Sequence, residues 1–117
     1  METDPTRRRV EQALAELETA HYELILFVSG ASLSSARAVR NARALCETHL
    51  PGRHDLTIVD VNQDPELARG RRVLATPTLL KDQPVPERML VGDLSDSASV
   101  LAALGIPVAA HTEDPAA

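Results

Sequence analysis

The feature that most constrains the fold of this chain is a pair of apolar runs in its second half, Leu74-Ala75-Thr76-Pro77-Thr78-Leu79-Leu80 and Arg88-Met89-Leu90-Val91, the latter ended by Gly92-Asp93-Leu94-Ser95. Proline holds φ near about −65° and has no N–H to give to a ladder, so Pro77 marks the start of a strand and is expected at a sheet edge. The second run stops at Gly92-Asp93, and Ser95 offers an N-cap to a helix carrying Val100, Leu101 and Leu104. Gly105 and Pro107 then end that helix. The order is strand, turn, strand, helix.

The first half follows a different rhythm. Tyr22 to Val28 is an almost unbroken apolar run stopped by Ser29-Gly30, the pattern of a central strand covered on both faces. From Ala31 to Leu50, residues Leu33, Ala36, Val39, Ala42, Leu45, Cys46 and His49 recur at helical spacing, with Ser32 or Ser34 as N-cap and Pro51-Gly52 as the stop. His54 to Val61 is rich in β-branched residues and reads as a second strand, making a parallel strand-helix-strand unit. Asp64-Pro65-Glu66 then supplies an N-cap, an N1 proline and a first-turn acid for a short helix through about Arg72. Upstream, Val10, Ala13, Leu14 and Leu17 lay a narrow apolar stripe along a Thr6–Ala20 helix, which docks on the domain, frays, or serves as a short self-association helix.

At 117 residues the chain has room for one domain. The reading divides it into an N-terminal amphipathic helical extension over 1–21, an α/β domain over 22–107 and a small, polar tail over 108–117 that is expected to be disordered. A net charge of −5 argues against a nucleic-acid footprint, and one Trp-free, nearly aromatic-free composition offers no base-stacking platform. No apolar run is long enough for a membrane span or a secretory signal, so no membrane partner is expected and the cytoplasm is the expected location.

The second half resembles the closing half of a thioredoxin fold, in which a Thr-Pro with a cis bond lies beside the redox site. In that architecture two cysteines stand between the first strand and first helix, where one thiolate attacks and the other resolves. Here that loop is Ser29-Gly30-Ala31-Ser32-Leu33-Ser34-Ser35, and the single cysteine, Cys46, lies about three turns later on the apolar side of the helix. Dithiol chemistry is thereby excluded. A glutathione- or thiol-handling enzyme relic using Ser32 or Ser34 with the Pro77 loop is the alternative from the enzyme class. His21, His49, His54 and His111 share no metal-ligand spacing, no Gly-x-Ser-x-Gly elbow occurs, and no phosphate-cradling loop is present, so no metal, cofactor or catalytic residue is expected.

The blocks Glu23–Gly30, Thr57–Val61, Asp64–Ala68, Val73–Leu79 and Val91–Ser95 resemble, in register from about Tyr22 to Leu104, those of the KaiB family of circadian-clock proteins. The resemblance implies a non-catalytic regulator that binds the ring of a KaiC-like ATPase. It also implies two accessible folds: a thioredoxin-like β-α-β-α-β-β-α state, here with an extra N-terminal helix, and a tetrameric ground state in which the chain end contributes a strand. The alanine-rich segment Ser95–Leu104 favours helix, and hence the thioredoxin-like state, with self-association as dimer or tetramer possible. By resemblance Arg37, Lys81 and Arg88 belong to the partner-binding surface, Pro77 is a structural cis-proline, and Gly92 and Asp93 are fold-determining. Departures from the family pattern include Thr57 and Met89 at otherwise basic positions and an acidic tail reduced to Glu113 and Asp114.

Overall fold

A computed structural model describes residues 5–107; residues 1–4 and the expected tail 108–117 lie outside the described residues. The elements run α1 (Pro5–Thr19), β1 (Tyr22–Val28), α2 (Leu33–His49), β2 (His54–Asp60), α3 (Pro65–Gly70), β3 (Thr78–Gln83), β4 (Arg88–Val91) and α4 (Ser97–Leu104). The four strands form one sheet in the order β2-β1-β3-β4, with β1 parallel to β2 and antiparallel to β3, and β3 antiparallel to β4. This is the thioredoxin-like arrangement. Residues 97–104 are helix, so the ground-state alternative, with a strand at the chain end, is not the fold adopted.

The two sheet faces are covered unequally. On one, Tyr22, Leu24, Leu26 and Val28 of β1 and Leu79 of β3 pack with Ala38, Ala42, Leu45 and Cys46 of α2 and Val100, Leu101 and Leu104 of α4. On the other, Phe27, Val59 and Leu80 meet only Ala68 of the six-residue α3, with Ile25, Val61 and Val73 half-buried around them. Strand β2 is an edge strand, so most of its residues are exposed or half-buried even though its composition is that of a strand.

The ends of α4 explain why it is a helix. Asp96, one residue later than the expected cap Ser95, accepts from the Ser99 N–H at 3.2 Å and the Ser99 hydroxyl at 2.8 Å. Gly105 takes the left-handed conformation at φ 71°, and the Ile106 N–H reaches back to the Leu101 carbonyl at 2.9 Å while Ile106 itself is buried. Both ends of a short helix are thereby satisfied.

Three further expectations need correction. Pro77 does not lie on an edge strand: it immediately precedes β3, an interior strand, where its missing N–H removes no ladder bond and its carbonyl accepts from Gly92 N–H at 2.9 Å. Leu74, ahead of the strand that Pro77 opens, lies in the connecting loop, 97% exposed. The α3 helix stops at Gly70 rather than near Arg72, where the backbone turns to φ 60°. Finally α1 does not dock its stripe on the domain, since Val10 and Leu14 remain 53% and 49% exposed.

Candidate functional site

The C-terminal ends of β1 and β2 carry the loop where a thioredoxin-like protein would place its chemistry. Here the loop is tied by hydroxyls and a carboxylate. Ser32 caps α2 by accepting from the Ser35 N–H at 3.2 Å and gives its own proton to Ser35 Oγ at 2.9 Å; Ser35 Oγ also accepts from the Ser29 N–H. Asp60, at the end of β2, accepts from the N–H groups of Gly30 and Asn62. With Ser32 engaged in capping, this loop is a structural clasp. Cys46 is buried in the main core, and burial, with the charge of Glu47, pushes its thiol up to about 11, far from a reactive thiolate.

Beside the clasp, the Thr76–Pro77 peptide is cis, as are Gln83–Pro84 and Val85–Pro86. The Thr78 hydroxyl donates to the Ala75 carbonyl at 2.6 Å and pins the turn into β3. The chain then leaves β4 through Gly92 at φ 135°, a backbone state that residues with a side chain rarely adopt. Asp93 Oδ1 accepts from the Ser95 N–H at 3.1 Å, and the Asp93 carbonyl accepts from the Asn41 side-chain amide of α2 at 2.8 Å. Gly92 and Asp93 thus form the joint that sends the chain from the sheet onto the helical layer.

The three basic residues do not converge. Arg37 is exposed near the start of α2, at the end of the sheet where β1 finishes. Arg88 is exposed at the start of β4 and pairs in register with Lys81, at the opposite end. Lys81, assigned by resemblance to the partner-binding surface, is only 3% exposed. Its alternation with Leu80 points it onto the face covered by α4, where Nζ lies 6.0 Å from the Tyr22 ring centroid and close to the backbone of Gly105. Desolvation, and then the charge of Arg88, lower its pKa. The Tyr22 hydroxyl is buried there without a partner, and burial raises its pKa.

Two charged groupings and an apolar surface were not foreseen from sequence. Arg71 is held by Asp82 at 2.8 Å and Glu87 at 3.1 Å, binding the end of α3 to the β3–β4 connection; the hydrogen bond it donates to Asp82 is the main cause of its raised pKa. His21 Nε2 lies 2.9 Å from Asp55 and 3.4 Å from Glu23, the only group of three such donors close enough to hold a cation among the described residues. All three are well solvated, and the imidazole sits between two carboxylates that face each other in register. The apolar surface lies on the thinly covered side: Leu67, Leu74, Met89 and Val91 are exposed, and a shallow cavity of about 230 Å³ opens among Ile25, Phe27, Thr57, Val59, Leu67 and Arg71. Period-2 alternation in β4, with Met89 and Val91 opposite Leu80 and Thr78, was the signal available for it. A groove of about 680 Å³ runs between α2 and the β2 edge along Val28, Ala36, Val39 and Ile58, with Arg40 and Arg43 also lining it.

Comparison with known proteins places these features. The KaiB domain family matches residues 25–106. A circadian clock oscillator protein KaiB of a Picosynechococcus species is 42% identical over 85 residues, 73% of this chain and 82% of that protein. The KaiB of Synechococcus elongatus is 40% identical over the same share of this chain and 83% of its own. Among solved structures, yeast mitochondrial thioredoxin 3 superposes with a TM-score of 0.60 at 12% identity, covering 82% of this chain and 88% of that one, a likeness of fold alone. The N-terminal domain of Synechococcus elongatus SasA superposes with a TM-score of 0.54 at 30% identity, covering 71% of this chain and 80% of that one. With a thioredoxin-like fold, a loop that carries no dithiol and this extent of shared sequence, the chain belongs to the KaiB family.

Proposed function

We propose that this protein is a non-catalytic regulator that binds the ring of a KaiC-like ATPase in the cytoplasm, in a circadian clock or a related timing or stress response. The observation that carries the reading is the match to the KaiB family from within β1 through α4, joined to a loop at the end of β1 whose hydroxyls are used for capping. A domain with no chemistry of its own acts by presenting a surface. Arg88 and Arg37 are the solvated cations of that surface, and Lys81 contributes by setting how α4 rests on the sheet. The joint at Gly92 and Asp93 governs exchange between this fold and a second, self-associated one, in line with the family's two folds. The domain boundaries at about residues 21 and 107 belong to the same proposal.

The test is association of the purified chain with a KaiC-like hexamer in the presence of nucleotide. Arg88→Glu is expected to slow association several-fold at low salt and to flatten the salt dependence, because exposed charges act mainly on encounter. Equal association rates for wild type, Arg37→Glu and Arg88→Glu at low ionic strength would remove this surface from the account.

A further inference from the structure

Helix α1 is the one element of the described chain that stands apart from the core. From Pro5 to Glu16 every residue is exposed, yet the helix carries an apolar stripe led by Val10 and Leu14. A 15-residue helix gains little from propensity alone, so a stripe of this kind is normally covered by something. Its charges indicate by what. Arg7, Arg8 and Arg9 occupy the first half, and Glu11 and Glu16 follow toward the second.

Arg9 and Glu16 are seven residues apart, so they lie on the same edge of the stripe about two turns from each other. In a parallel pair of such helices the arginine-rich halves would lie side by side, and so would the acidic halves. In an antiparallel pair related by a two-fold axis the matching edges meet, and each Arg9 faces Glu16 of the other copy, twice per dimer. Arg7 is already engaged within its own helix by Glu11 at 3.1 Å, whereas no ion pair holds Arg9 or Glu16 among the described residues.

We propose that α1 is a self-association helix and that its partner is the α1 of a second copy of this chain, packed antiparallel through Val10 and Leu14 and aligned by reciprocal Arg9–Glu16 pairs. The proposal is independent of the ATPase reading. Two helices of this length bury well below the roughly 1,600 Å² of a standard interface, so the dimer is weak, with a dissociation constant on the order of 100 µM. It holds two domains near each other without covering β4 or α4.

Sedimentation equilibrium of the full chain from about 10 to about 500 µM provides the test, with Arg9→Glu, Glu16→Arg and the double exchange Arg9→Glu/Glu16→Arg. Each single change places like charges together at both contacts and is expected to weaken dimerisation by about tenfold, while the double exchange restores it. These positions are fully solvated, and unchanged circular dichroism will show that the domain remains folded. A chain that stays monomeric over the whole range, association insensitive to either single change, or a double exchange no better than the singles would each overturn the proposal. Association through another surface, such as a tetramer of the second fold, belongs to the insensitive outcome.

Discussion

Replacing Lys81 with methionine is expected to stabilise this fold, an outcome opposite to that of removing a surface lysine. Lys81 is 3% exposed and faces the Tyr22 ring, the Gly105 backbone and, in register, Arg88, with no carboxylate in that list. Withdrawing an ammonium from water costs several kcal/mol unless it is well paired, and the ring returns about 0.5–2 kcal/mol. Methionine matches the stem in length and bulk, so it leaves little cavity, and the balance favours the variant by about 1–2 kcal/mol. For a domain of this size each kcal/mol raises Tm by about 4–8 °C.

The pH dependence supplies the sharper check. Because the folded pKa of Lys81 is lowered, the unfolded chain holds the extra proton between the folded value and the ordinary one of 10.5. Stability therefore rises with pH through that window and is lost as pH falls below it. Tyr22, whose pKa is raised, acts in the opposite direction at high pH in both proteins, so it largely cancels in the difference between wild type and variant. Urea titrations at pH 7 and about pH 10 are expected to show Lys81→Met ahead at pH 7 by a margin that narrows at the higher pH. A variant less stable than wild type at pH 7, or a margin independent of pH, would refute the burial of this charge.

Two substitutions and one labelling measurement test the joints of the fold. Gly92→Ala meets open space around its new Cβ, so its cost is that of a φ of 135°: a loss of about 1–3 kcal/mol in urea titration is expected, and a loss under about 0.3 kcal/mol would mean the joint is not strained. The Asp96 carboxyl is held below its usual range by the Ser99 hydroxyl and N–H, so its contribution is present above the unfolded pKa and lost as pH falls through the folded one; Asp96→Asn is expected to flatten the acid limb of a stability–pH curve, and an unaltered limb would contradict the cap. The Cys46 thiol, raised to about 11, is expected to react with an alkylating reagent at neutral pH about 100-fold more slowly than an exposed cysteine, and reaction at the ordinary rate would show that α2 does not seat it in the core.

The elements with uninterrupted patterns were legible in the sequence. The Tyr22–Val28 run is β1, and Gly105 ends α4 through backbone bonds that only its left-handed conformation allows so readily. What was not legible depended on partners in space. Lys81 sits at an alternating strand position, and only the placement of α4 over that face turns a charged residue inward. Leu74 is apolar and close to a strand but is solvated, because the turn pinned by Thr78 and Ala75 starts the ladder four residues later. The helix cap is Asp96 rather than Ser95: its carboxylate accepts from both the N–H and the hydroxyl of Ser99, while Ser95 belongs to the turn closed by Asp93. Of the site residues, Pro77, Gly92 and Asp93 were singled out through the family resemblance rather than through spacing, and the arginines have no spacing that brings them together: Arg37 and Arg88 lie at opposite ends of the sheet.

The most direct measurement of the account is sedimentation velocity of this chain mixed with a purified KaiC-like hexamer, with ATP and without nucleotide. The account predicts that the chain co-migrates with the hexamer when nucleotide is present, while the two proteins together show no disulfide-reducing activity attributable to this chain. Separate sedimentation of chain and ring under every nucleotide condition would contradict its central claim.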